Sequence, residues 1–160
     1  MSVAAVRFVA VFSTGILAGI LFGDRMGASF ARRALTPSSF VTFQQIQHVH
    51  FARMMPILMG VTISSSVAWL VLIRSRVGTL SGLLLMLGTL AFLSVAVLTR
   101  LVNVPINDQL MTWKSSSPPV DLTQIWARWE QTYTVRTFLA VSGFACELLA
   151  FGTSRNGLAA

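Results

Sequence analysis

The sequence predicts an all-α fold: a membrane-embedded four-helix bundle threaded up-down-up-down. Three observations predict it. The 160-residue chain is 54% hydrophobic and only 11% charged, where a soluble domain carries about 25% charged residues. Four stretches approach the roughly 20 apolar residues that a bilayer span needs. Turn-forming connections separate them, so consecutive helices become antiparallel neighbours. A chain of this length forms one domain, placed at residues 1–152, with 153–160 as a C-terminal tail.

The first span covers about residues 3–23, "VAAVRFVAVFSTGILAGILFG". It is long for the apolar region of a secretory signal, and its one positive charge is Arg7, so it reads as a retained helix. Residues 24–43 form a longer link in which Pro37-Ser38-Ser39 suits a helix start. The second span runs from about Phe51 to Ile73. "RSRVG" then turns tightly into the third, about Val77 to Leu101. The stretch "LVNVPINDQLMTW" that follows is polar yet keeps a helical apolar rhythm. "KSSSPPVD" breaks the helix, because adjacent prolines and serines resist it. The fourth span covers about Val135 to Phe151 and begins earlier, within "IWARWEQTY", capped by Asp121 or Thr123. Gly15, Gly19 and Gly23 form a small-xxx-small row suited to a close neighbouring backbone.

The net charge is +7. Nucleic acid is excluded as a partner, because the arginines are scattered among apolar spans and Lys114 is the single lysine. Basic residues in such positions mark membrane–water boundaries. The expected location is therefore an integral protein of the plasma (cell inner) membrane. Both termini are expected in the cytoplasm if the site arginines are buried and drop out of the loop count. Cys146 is the only cysteine, so no intrachain disulfide forms. A homo-oligomer stays open.

An up-down bundle gathers four helix ends on each side. One side collects the end of the first helix, the start of the second, the end of the third and the start of the fourth. Both histidines and three of the four tryptophans fall there. Asn103 and Asn107 are four apart and share a helix face. Pro105 between them removes a backbone donor and favours a kink. Gln44, Gln47, His48 and Phe51 share a face at the start of the second helix. Trp126, Trp129, Tyr133 and Arg136 form one stripe on the fourth. Arg136 sits roughly ten residues into that helix, and a charge at such depth normally faces a bundle interior or a polar cavity.

His48 and His50 are two apart and point about 200° away from each other, so they cannot clamp one ion on an intact helix. No zinc-type ligand pattern is present. A single histidine acting as base, acid or axial haem ligand remains. Glu147 is expected near the opposite boundary, or paired with Arg7 or Arg74, without a chemical role.

"NVPINDQLMTW", a short proline-containing link, and "WARWEQTYTVRT" together resemble the signature of the anthrone oxygenase-like family, small membrane proteins with four helices. Asn103, Pro105, Asn107, Trp126, Arg136 and Thr137 hold the motif positions. Tyr133 stands where members often carry histidine or asparagine, which leaves the proton-transfer residue open. The resemblance implies oxidation of an anthrone, a tricyclic aromatic ketone of polyketide type, to a quinone by molecular oxygen. An anthrone that loses a benzylic proton becomes an enolate able to pass an electron to oxygen directly. No cofactor is then required; haem or a metal ion on His48 is the alternative.

On this reading the catalytic residues are His48 as base, with Asn103, Asn107, Arg136 and Tyr133. Trp113, Trp126, Trp129, Phe51 and Gln44 bind the substrate, the stripe of rings stacking on a planar polycycle. The partners are a hydrophobic aromatic small molecule, oxygen and the lipid bilayer. A non-catalytic membrane protein that binds a lipid, a quinone or a partner subunit is the competing reading.

Overall fold

The computed structural model describes residues 2–156. Four helices in it are long and apolar enough to cross a membrane. They are α1 Val3–Arg33, α2 Pro37–Leu72, α3 Leu80–Leu110 and α4 Leu122–Asn156. No extended strand occurs among the described residues; an isolated bridge between Lys114 and Ser117 closes the α3–α4 loop. The protein is an all-α, integral membrane four-helix bundle.

Each helix outruns the span read from sequence. The 36 residues of α2 extend about 54 Å at the α-helical rise, against a hydrocarbon core of about 30 Å. The surplus turns carry the polar end. Residues 24–33, expected as a link, are helical: a π-helical turn at Asp24–Ala28 leads into an α-helical end at Arg33. Nothing before Pro37 breaks the helix, so the connection shrinks to residues 34–36. Thr36 then caps α2, its hydroxyl accepting from the Ser39 N–H, with Pro37 in the first turn. The Asp121 carbonyl accepts the first backbone bonds of α4, from Gln124 and Ile125, so Thr123 lies inside the first turn. α4 continues through Asn156, and only residues 157–160 of the expected tail lie outside the described part.

The prolines act locally. Pro56 sits within α2 without ending it. Pro105 has no N–H to give, and α3 adapts with a π-helical turn at Thr99–Asn103, where the Val104 N–H reaches back to Thr99 O. Such single π turns recur at functional sites. The end of α3 is held by α2: Gln45 Nε2 donates to Leu110 O and Trp113 O at 3.0 and 2.9 Å. These would otherwise be orphan carbonyls of a helix terminus.

Close packing falls on α3 and α4, and the α1 glycine row has little part in it. A Cβ on Gly88 would lie 2.7 Å from Glu147 Cγ and 2.9 Å from Gly143 O, whereas one on Gly19 or Gly23 would meet nothing within 4 Å. Gly88→Ala is therefore expected to cost about 1–3 kcal/mol by overpacking, with Gly19→Ala near neutral. Thermal unfolding in detergent reads the difference.

Two apolar clusters fill the bundle. One, at the terminal end, includes Val6, Ala10, Trp69, Leu85 and Ala150. The other lies toward the polar end and includes Leu17, Phe92, Val95, Leu110, Trp126 and Tyr133. Between them along the four helices come Thr14, Ser66, Thr89 and Glu147, all buried. Glu147 is therefore not at a boundary. It is 0% exposed and forms no salt bridge with Arg7 or Arg74. Arg7 instead donates to Phe151 O and the Ser154 hydroxyl and lies over the rings of Trp69 and Phe151. Arg74 is exposed in the α2–α3 turn.

Candidate functional site

All four helices contribute to one cavity of about 440 Å³ at the polar end. That volume lies within the range of small-molecule sites. Leu21 and Asp24 enter from α1. From α2 come Gln44, His48, Phe51, Met55 and Met59, and from α3 Thr99, Asn103 and Asn107. Trp126, Trp129, Tyr133 and Arg136 complete the wall from α4.

Nine of the ten residues singled out in the sequence line this cavity. The tenth, Trp113, does not. Its side chain is half-buried against the neighbouring apolar cluster, and its carbonyl serves Gln45. Of the two histidines, His48 faces the cavity, while His50 is exposed and outside it. The unbroken α2 keeps them apart as the helical spacing requires.

The asparagines hold α3 to α4 through one residue. Asn103 Nδ2 donates to Trp129 O at 3.3 Å, and Trp129 Nε1 donates to Asn107 Oδ1 at 2.9 Å. With its oxygen spent on Trp129, Asn107 offers the cavity its amide N–H groups. The aromatic stripe differs from the expected stacking platform. Trp126 and Trp129 stack on each other, with centroids 4.4 Å apart and planes at 15°. Trp129 and Tyr133 do the same at 4.7 Å and 9°. Both faces of Trp129 are thus covered, and Arg136 lies over the Tyr133 ring at 5.5 Å.

Several buried polar atoms in the lining have no hydrogen-bond partner among the described residues: Gln44 Oε1, Asn103 Oδ1, Trp126 Nε1 and Arg136 Nε. Buried polar groups are normally satisfied, so a concentration of unpaired donors and acceptors around one cavity suits a polar-edged ligand.

Sequence reasoning missed one cluster here. Arg32 is 1% exposed and grips Asp24 with both terminal nitrogens at 2.8 Å. Ser29 accepts from the same guanidinium, and Gln47 Nε2 donates to Asp24 Oδ1 at 3.1 Å. Arg32 also lies 5.9 Å from the Trp129 ring centroid. The eight-residue spacing of Asp24 and Arg32 gave no signal, because an uninterrupted α-helix reaches three or four residues along a face. The π turn inserts between them and changes the register.

The family model for anthrone oxygenase matches residues 43–146. The chain belongs to the anthrone oxygenase family. Among curated proteins and solved structures, none matches the chain. The match spans most of α2, all of α3 and most of α4, and it contains all ten singled-out residues. Asp24 and Arg32 lie before it, so the α1 wall of the cavity falls outside the matched segment.

Proposed function

We propose that the protein is a membrane oxygenase that oxidises an anthrone-like polycyclic or phenolic compound to a quinone. The observation that carries this reading is the shared cavity, where an imidazole, two amides and a guanidinium from three helices meet apolar walls within the family-matched segment. His48 removes a benzylic proton. The amide N–H groups of Asn107 and the Arg136 guanidinium stabilise the oxygen of the resulting enolate. The enolate passes one electron to oxygen, and the carbon radical and superoxide combine. The proton returned from His48 gives a hydroperoxide on the former CH₂ carbon. Loss of the second hydrogen from that carbon, with cleavage of the O–O bond, leaves the quinone carbonyl and releases water. No redox cofactor enters this sequence. Phe51, Met55 and Met59 line the same cavity as the Trp126–Trp129–Tyr133 column and supply apolar surface for a planar substrate.

Oxygen uptake by the purified protein tests the reading. Uptake with anthrones and formation of the quinone, by a metal-free protein without a Soret band, are expected. A Soret band would replace cofactor-free chemistry with a haem reaction at His48. No uptake across anthrones, phenols and quinols would leave a binding protein for a lipid, quinone or partner subunit. Within an active protein, His48→Gln is expected to lower turnover by about 10²–10⁴. Unchanged turnover would remove His48 from the base role.

The orientation follows the arginines. Arg32 and Arg136 are buried, but Arg33, Arg53, Arg100, Lys114 and Arg128 are exposed at the polar end. Arg136, the site arginine, thus drops out of the count as cytoplasmic termini require, while the exposed cations of the polar end weigh for the opposite orientation. Labelling of single cysteines placed at Ser75 and Ser116, from each side of intact cells, decides between the two.

A further inference from the structure

Side-chain hydrogen bonds lace three of the four helix seams around the cavity. Gln47 joins α2 to Asp24 of α1. Asn103 and Asn107 join α3 to Trp129 of α4, and the Tyr133 hydroxyl joins α4 to Leu21 O of α1. The α2–α3 seam differs. Gln45 holds it at the aqueous end, through Leu110 O and Trp113 O, and these are its only side-chain hydrogen bonds among the described residues. The turn at Arg74–Arg76 closes the same seam at its other end.

The cavity reaches the stretch between those two closures. Ala52 and Pro56 of α2 and Arg100 of α3 line it, yet all three are exposed. At about 100° per residue, Ala52 and Pro56 lie about 140° and 180° round α2 from Gln47. Gln47 faces α1, so these two occupy the flank turned away from α1. Ala96, another small residue, lines the cavity from α3.

Charge along the helices sets the depth of this opening. Met54 to Ile73 of α2 carries no charged residue, and that run measures about 30 Å, the thickness of a hydrocarbon core. Ala52 is therefore at the boundary of the core and Pro56 just inside it. On α3 the uncharged run from Val77 ends at Arg100, which marks the same boundary. Rings with an apolar body and one polar edge collect at this level, as those of Trp and Tyr do.

We propose that the cavity takes its ligand from the bilayer, through a lateral window between α2 and α3 rimmed by Ala52, Pro56, Ala96 and Arg100. The class of ligand rests on the oxygenase reading: a flat aromatic ketone dissolved in lipid. Its apolar body passes over Pro56 and Ala96 while its polar edge stays at the level of Arg100. The Gln45 clip keeps the aqueous end shut.

The test uses the full chain in phosphatidylcholine vesicles, with anthraquinone as probe. The saturable quenching of tryptophan fluorescence, followed after rapid mixing and after dilution into empty vesicles, gives association and dissociation rates. Ala52→Phe and Ala96→Phe narrow the window from opposite rims. Each is expected to slow both rates by about tenfold or more while Kd changes far less, as for a gate on the route to a site. Ile57→Phe changes an exposed α2 residue outside the cavity and should keep the wild-type rates. Rates unchanged in both window variants overturn the proposal. Association that quickens only in Gln45→Ala overturns it as well, because the entrance would then be the aqueous end. Wild type without saturable quenching overturns it too, the cavity then admitting no such aromatic from lipid. These rates are read without turnover. A chain that binds anthraquinone through the window but takes up no oxygen keeps the window and loses the oxygenase reading. An active oxygenase with unaltered rates in both variants does the reverse.

Discussion

Arg136→Ala is expected to abolish oxygenase turnover while the protein stays folded. The guanidinium is 6% exposed, lines the cavity and has an unpartnered Nε. Removing one group that stabilises a developing oxyanion costs about 10²–10³ in rate. Folding should survive, because taking a charge out of an apolar helix removes a burial cost. Arg136→Lys keeps the charge without the planar fork and should recover only part of the rate. Asn103→Ala is expected to lose turnover as well, with some loss of stability, since Trp129 O would lose its donor. Oxygen uptake with an anthrone, beside circular dichroism, separates chemistry from folding. Full activity in Arg136→Ala would sink the site assignment.

The largest stability effect is expected at the Asp24–Arg32 pair. Asp24→Ala leaves a 1% exposed Arg32 side chain with Ser29 and Gln47 as its remaining hydrogen-bond partners among the described residues. Breaking a buried pair by deleting one partner costs about 3–5 kcal/mol. The end of α1 should loosen, and with it the α1 wall of the cavity and the Tyr133 hydroxyl bond to Leu21 O at 3.2 Å. The double variant Asp24→Leu, Arg32→Leu removes both charges, and most of the lost stability should return, as apolar replacement of a buried pair is often neutral. Thermal unfolding of the two variants reads this directly. A double variant as unstable as Asp24→Ala would show that packing, rather than an unpaired charge, dominates there. If the double variant is stable but turns over slowly, Asp24 also serves the reaction.

Much of this arrangement was legible in the chain. Helix spacing put Asn103 with Asn107, and His48 with Gln44 and Phe51, on single faces that the bundle turns inward. The depth of Arg136 in an apolar helix marked it as interior, because lipid tolerates such a charge poorly. Trp113 misled, since a tryptophan near a helix end looks the same whether it faces a cavity or packs beside one. The Trp126–Trp129–Tyr133 stripe was visible, but spacing cannot say whether its rings stack on a ligand or on each other. Glu147 looked like a boundary residue because composition does not report depth.

The sequence by itself determined the solvent, the helix number and the end at which polar residues collect. Those follow from composition and from periodicity along one chain segment, which are local properties. Only the tertiary structure decided the partners: Arg32 on Asp24 across a π turn, Trp129 held by both asparagines, and Glu147 among hydroxyls at mid-bundle. Helical periodicity fixes the face on which a side chain lies. What that face meets depends on the rotation and depth of three other helices, and on close contacts such as Gly88 against Gly143.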